Sequence, residues 1–96
     1  MNRPLEPGKK VKFDNERIFR WTVRAVAHPF VICTTAGKKG YYTILNLDKG
    51  IRGPDNHYGV GYRTDEQVLD ALGRLVSGDL EISNRHKAPL VISEVK

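Results

Sequence analysis

Between residues 10 and 25, apolar and polar side chains take turns with the period of two that a half-buried β-strand imposes. Val11 and Phe13 fall on one side of a first segment, Lys10 and Lys12 on the other. Phe19, Trp21, Val23 and Ala25 then alternate with Arg20, Thr22 and Arg24. Asp14-Asn15-Glu16-Arg17, between the two, holds residue types suited to a tight connection, so the pattern predicts a β-hairpin. Ahead of it, Pro4 and Pro7 make residues 1–7 a loose lead-in.

After a break at His28-Pro29, Phe30 to Thr35 and Tyr41 to Leu47 are apolar or β-branched at most positions. They read as two strands in central places of a sheet, joined by the flexible turn Ala36-Gly37-Lys38-Lys39-Gly40. Asp48 to Asn56 is a loop ending in the turn signal Gly53-Pro54-Asp55-Asn56, and His57 to Tyr62 is either a short irregular strand or more loop. Thr64-Asp65-Glu66-Gln67 then fits a capping box, in which the Thr64 hydroxyl takes the Gln67 N–H and the Gln67 side chain reaches back. Val68, Leu72, Leu75 and Val76 follow at helical spacing, Leu69 widens the stripe, and Ser77-Gly78 is a stop. Gly73 costs that helix about 1 kcal/mol relative to alanine, and close packing against the sheet is its expected compensation. Leu80 to Ser83 is a short extended piece, and Leu90 to Val95 a closing strand that Pro89 places at an edge.

The predicted fold is α+β: a small antiparallel, strongly bent sheet or open barrel of about five strands, with one amphipathic helix near the C-terminus covering one face. Ninety-six residues hold one such domain, residues 1–96, and an apolar share of 40% with 28% charged residues argues against disorder. The single cysteine, Cys33, excludes an internal disulfide; it lies among apolar neighbours and reads as a small core hydrophobe, as Trp21 reads as core. No stretch is long enough to span a bilayer and no signal-peptide core is present, so the expected setting is cytoplasmic.

Charge changes the picture more. Residues 1–50 carry ten Lys/Arg against four Asp/Glu, residues 51–96 six against seven, so the whole formal excess of +5 arises in the first half. If the alternation holds, Lys10, Lys12, Arg20 and Arg24 share the outward face of the hairpin, with Lys9 at its start. Such a face would track phosphates, and Lys38 and Lys39 on the glycine-flanked turn beside Tyr41 add the charge and stacking surface of a single-strand binder. The same residues suit a plain solvent-facing strand, whose edge lysines discourage sheet-to-sheet pairing. A second candidate is the loop around Arg52, Asp55, Asn56 and His57, where Asp55 would orient an imidazole for general-base work; a structural turn is the competing reading. No nucleophile motif accompanies it, the spacing of His28, Cys33, His57 and His86 matches no compact zinc pattern, and Gly37-Lys38-Lys39-Gly40 lacks the Walker spacing. No catalytic residue, metal or cofactor is therefore assigned.

Pro7-Gly8-Lys9-Lys10-Val11-Lys12-Phe13, followed by Arg20-Trp21-Thr22-Val23-Arg24-Ala25, resembles the entry hairpin of SH3-like barrels. Over most of its length the chain is similar to small uncharacterised proteins encoded by actinobacterial phages and plasmids. The likeness rests on Trp21 to Ala25, Phe30 to Thr34, Tyr42-Thr43-Ile44 with Leu47-Asp48, Arg52 to Asn56, the helix, and Pro89 to Ile92. The resemblance implies a mobile-element accessory protein of a bacterial cytoplasm and no particular activity. The expected function is a non-enzymatic binding module with DNA or RNA as partner. The alternatives are a module acting on a host or defence protein, a self-associating structural protein, or a small enzyme centred on His57.

Overall fold

The computed structural model describes residues 5–13, 20–35, 41–55, 64–85 and 87–94. The expected hairpin is present as β1 (Lys10–Phe13) and β2 (Trp21–Ala27). Beside it lie β3 (Phe30–Thr35) and β4 (Tyr42–Asn46), then β5 (Ile51–Gly53), the helix α1 (Asp65–Ser77), β6 (Ala88–Pro89) and β7 (Ile92–Glu94). The strands form one antiparallel sheet in the order β6-β5-β4-β3-β2-β1-β7.

That order requires the sheet to curl. Six spacings of about 4.8 Å would hold the outer strands of a flat sheet roughly 29 Å apart. Yet β6 and β7 are separated in the chain only by Leu90 and Val91, and three Cα–Cα steps reach no further than about 11 Å. The sheet therefore bends round into a small open barrel with one helix against it, the α+β architecture expected from the sequence. The strands number seven rather than about five. The loop after β4 contributes β5, and Ala88–Pro89 forms β6 ahead of the expected closing strand, which itself contains β7; pieces of two or three residues are too short to show a period.

Both faces of the central strands are buried, which is why they read as nearly continuous apolar runs. Val31, Cys33 and Leu45 join Val11, Phe13, Trp21 and Val23 inside the barrel, with the Phe13 and Trp21 rings tilted at 5.8 Å between centroids. Ile32 and Ile44 point the other way and pack with Ala25, Leu80 and the helix residues Val68, Ala71, Leu72 and Leu75. Cys33 and Trp21 are core residues, as expected. Ala25 is a correction. In the β2–β3 register Val23 faces Cys33 but Ala25 faces Ile32, so Arg24 is an extra residue in a β-bulge. The bulge reverses the parity of β2 and sends Ala25 to the helix side, away from Trp21 and Val23.

The capping box forms as expected: the Thr64 hydroxyl accepts the Gln67 N–H at 3.1 Å and the Gln67 amide oxygen accepts the Thr64 N–H at 3.1 Å. Gly78 ends the helix at φ +90°, a left-handed conformation in which a side chain would be strained. Two expectations for α1 fail. Leu69 and Val76 are 61% and 62% exposed, because the stripe that meets the sheet is filled by Val68, Ala71, Leu72 and Leu75. Gly73 does not pack closely: a Cβ there would meet nothing within 4 Å, since the position faces solvent.

Candidate nucleic-acid interface

Strand pairing arranges the hairpin cations. Lys10 stands opposite Thr22, and the same register continued one step sets Lys12 opposite Arg20, so the three cations share one face of the β1–β2 ribbon. All three are exposed, while Val11 and Phe13 between them are fully buried and hold the strand in place. No carboxylate is paired with Lys10, Lys12 or Arg20 among the described residues.

Arg24 behaves differently because it lies beside the start of the helix. Its guanidinium turns toward the helix, where Nη2 donates to Asp65 Oδ1 at 2.6 Å and Nη1 to Thr34 Oγ1 at 3.4 Å. The structure thus separates the four expected cations into three open ones and one already engaged. Between hairpin and helix lies an open groove of about 450 Å³, bordered by Pro7 and Gly8, floored by Thr22 and Arg24, and walled by Asp65, Val68 and Leu69. The hydrophobic stripe of the helix gave no hint of this groove, because Leu69 read as core.

Antiparallel pairing puts the end of β1, the start of β2, the end of β3 and the start of β4 at the same end of the sheet. Tyr41 stands there, 57% exposed, its N–H bonded to Thr35 Oγ1 at 2.9 Å and its carbonyl to the Thr35 N–H at 2.9 Å. Thr35 pairs in turn with Trp21, so Tyr41 lies on the rim that also carries Arg20 and Lys12, three strand spacings or roughly 14 Å from β1. Lys38 and Lys39 lie outside the described residues.

Of the loop candidate, the two described residues, Arg52 and Asp55, lie on opposite sides of the sheet. Arg52 pairs with Leu45 and faces into the barrel, its guanidinium carbon 4.1 Å from the centroid of the Phe13 ring. Asp55 is on the opposite side, buried, in a bridge with Ile82 and hydrogen-bonded to the Tyr42 hydroxyl. Burial and then the Asp55 carboxylate push the Tyr42 hydroxyl well above the usual phenol range. Asn56 and His57 lie outside the described residues. Cys33, buried beneath the sheet, has its thiol pushed up to about 12 by desolvation, partly opposed by the Arg52 charge. His28 sits at the surface with Nε2 3.0 Å from Asp48 Oδ1. Among the described residues, no three His, Cys, Asp or Glu side chains come together as metal ligands would, and no helix is long and apolar enough to cross a membrane.

No protein-family model, curated protein or solved structure matches this chain.

Proposed function

We propose that this protein is a non-enzymatic module that binds nucleic acid along the rim carrying Lys10, Lys12, Arg20 and Tyr41. The observation that supports this most is the exposure of Lys10, Lys12 and Arg20 on one ribbon face without a paired carboxylate among the described residues. A cation already held by a protein carboxylate releases little when a phosphate arrives; an open one releases the counterions of the phosphate it neutralises. Tyr41 adds an exposed ring on which a base would stack. Lys38 and Lys39 precede Tyr41 by three and two residues in the sequence and would raise the number of available cations from three to five.

The partner that suits this arrangement best is single-stranded DNA or RNA, with phosphates on the ribbon and a base on Tyr41. The test is fluorescence anisotropy of labelled single- and double-stranded oligonucleotides against the protein at several salt concentrations. Three to five neutralised phosphates on a single strand give a slope of log K against log salt of about −2 to −3.5. Between low and moderate salt, affinity should then fall roughly 20- to 100-fold. Absence of binding at low salt, or a slope near zero, overturns the reading.

A second reading has its own observation. Leu69 and Val76 lie seven residues apart on the solvent side of α1, with Gly73 between them. Two exposed aliphatic residues on one helix face favour a protein partner, and binding through them would tolerate salt.

A further inference from the structure

The far end of the sheet from the basic rim carries a second concavity that the nucleic-acid reading does not use. It is a cavity of about 240 Å³ between the ends of β3, β4 and β5 and the C-terminal end of α1. Phe30, Ile51, Leu75, Leu80 and Ile82 supply its apolar lining, and Asn46, Lys49, Asn84, Lys87 and Glu81 its polar groups.

Asn46 gives this cavity its direction. It ends the apolar run of β4 and is only 8% exposed. Its side-chain oxygen accepts the Lys49 N–H at 3.0 Å, which fixes the amide so that the NH₂ group is the end left to meet a ligand. Among the described residues that NH₂ has no protein acceptor. Solvent reaches the amide nitrogen within the cavity, so a ligand that enters can replace water as its acceptor. Lys49 and Lys87 stand exposed on the border, neither ion-paired among the described residues, and outnumber the one carboxylate there, Glu81.

We infer that this cavity is a binding site for a small organic anion consisting of a single apolar ring and one carboxylate. The ring lies against Phe30, Leu75 and Ile82; one carboxylate oxygen accepts from the Asn46 NH₂ while the charge is met by Lys49 and Lys87. Volume sets the size of the ligand. An apolar cavity of about 150 Å³ takes benzene, whereas drug-sized ligands need about 300 Å³ or more, so the part of a ligand held here is about the size of a ring with one substituent.

The test uses the full chain and sodium benzoate as probe, followed through amide chemical shifts. With so few atoms in the ligand, a dissociation constant on the order of a millimolar is expected, with shifts centred on Asn46, Lys49, Leu80 and Ile82. Lys49→Gln combined with Lys87→Gln changes only exposed side chains and should weaken binding about tenfold, while leaving the salt-dependent oligonucleotide binding intact. Benzyl alcohol, the uncharged counterpart, should bind the unmodified protein no better than benzoate binds the double variant. The inference is overturned if benzoate causes no saturable shifts, if the shifts fall on the hairpin cations, or if the double variant binds benzoate as well as the unmodified protein does.

Discussion

Arg24 and Asp65, 41 residues apart in sequence, meet at 2.6 Å and tie the bulge of β2 to the first turn of α1. The bulge places an extra residue next to the helix start, and the capping box brings Asp65 there with its charge at the favourable end of the helix dipole. Asp65 is 90% exposed, so the pair stabilises the fold little. Its larger effect is to withdraw one cation from the basic face.

Replacing Asp65 with Asn should therefore free Arg24 for nucleic acid. The expected result is tighter oligonucleotide binding and a salt slope steeper by about 0.7, the contribution of one further phosphate on a single strand. The melting temperature should move by only a few degrees, since an exposed pair and a first-turn acid contribute about 1 kcal/mol or less each. An unchanged slope would mean that Arg24 does not face the bound phosphates.

Two glycines of the same helix should respond in opposite directions to alanine. Gly73→Ala places a methyl group in open space in a helical position and should stabilise by about 0.5–1 kcal/mol. Gly78→Ala forces a side chain into φ +90° and should destabilise by about 1 kcal/mol or more. For a domain of this size each kcal/mol moves the thermal midpoint by about 4–8 °C, so the two midpoints should lie on either side of the parent value.

Alkaline pH should weaken the fold through Cys33. Its thiol loses a proton near 9 when unfolded but is held up to about 12 in the folded chain. Over that interval the folded protein keeps a proton that the unfolded chain has released, so stability falls as pH rises. The slope reaches about 1.4 kcal/mol per pH unit at most, and the raised hydroxyl of Tyr42 adds to it above its ordinary value of 10.0. Urea unfolding at about pH 8 and about pH 10 measures this, and Cys33→Ala should flatten the part of the slope that begins near pH 9. A thiol reagent at neutral pH should modify Cys33 only as fast as the domain opens.

The stacking of Arg52 on Phe13 should appear as a coupling between the two. Arg52→Met retains most of the stem but loses the guanidinium, and Phe13→Leu removes the ring it lies over. A double-mutant cycle in urea should return a coupling of about 0.5–2 kcal/mol, the range for a partly desolvated cation over an aromatic face. Additive effects would show that the barrel tolerates the cation without using the ring.

The parts of this fold that were legible in the sequence are those in which one residue type has one physical use. Thr64 and Gln67 sit at the spacing a capping box needs, and Gly78 where a helix must turn left-handed; both were found in place. The alternation of β1 was equally readable, because Val11 and Phe13 have a single core to enter. In β2 the alternation misled after Val23: a bulge inserts one residue without any local signal, and Arg24 and Ala25 look the same with or without it. β5 escaped notice because Ile51-Arg52-Gly53 is too short to show a period. The basic face was legible as charge, but the removal of Arg24 from it depends on a residue 41 positions away. Asn46 did carry a signal, as a polar residue inside an apolar strand, and only tertiary packing shows what it lines.

The segment from Ala88 to Glu94 has a consequence for how the sheet breathes. It hydrogen-bonds the outer edge of β5 through one end and the outer edge of β1 through the other, with the Leu90 N–H bonded to the Gly50 carbonyl between them. Peeling it away uncovers both margins at once, so amide protons of β1 and β5, at opposite margins of the curled sheet, should exchange with solvent through one shared opening event. Those two strands would act as a single exchange unit governed by a latch seven residues long, while β3, buried on both faces, waits for global unfolding.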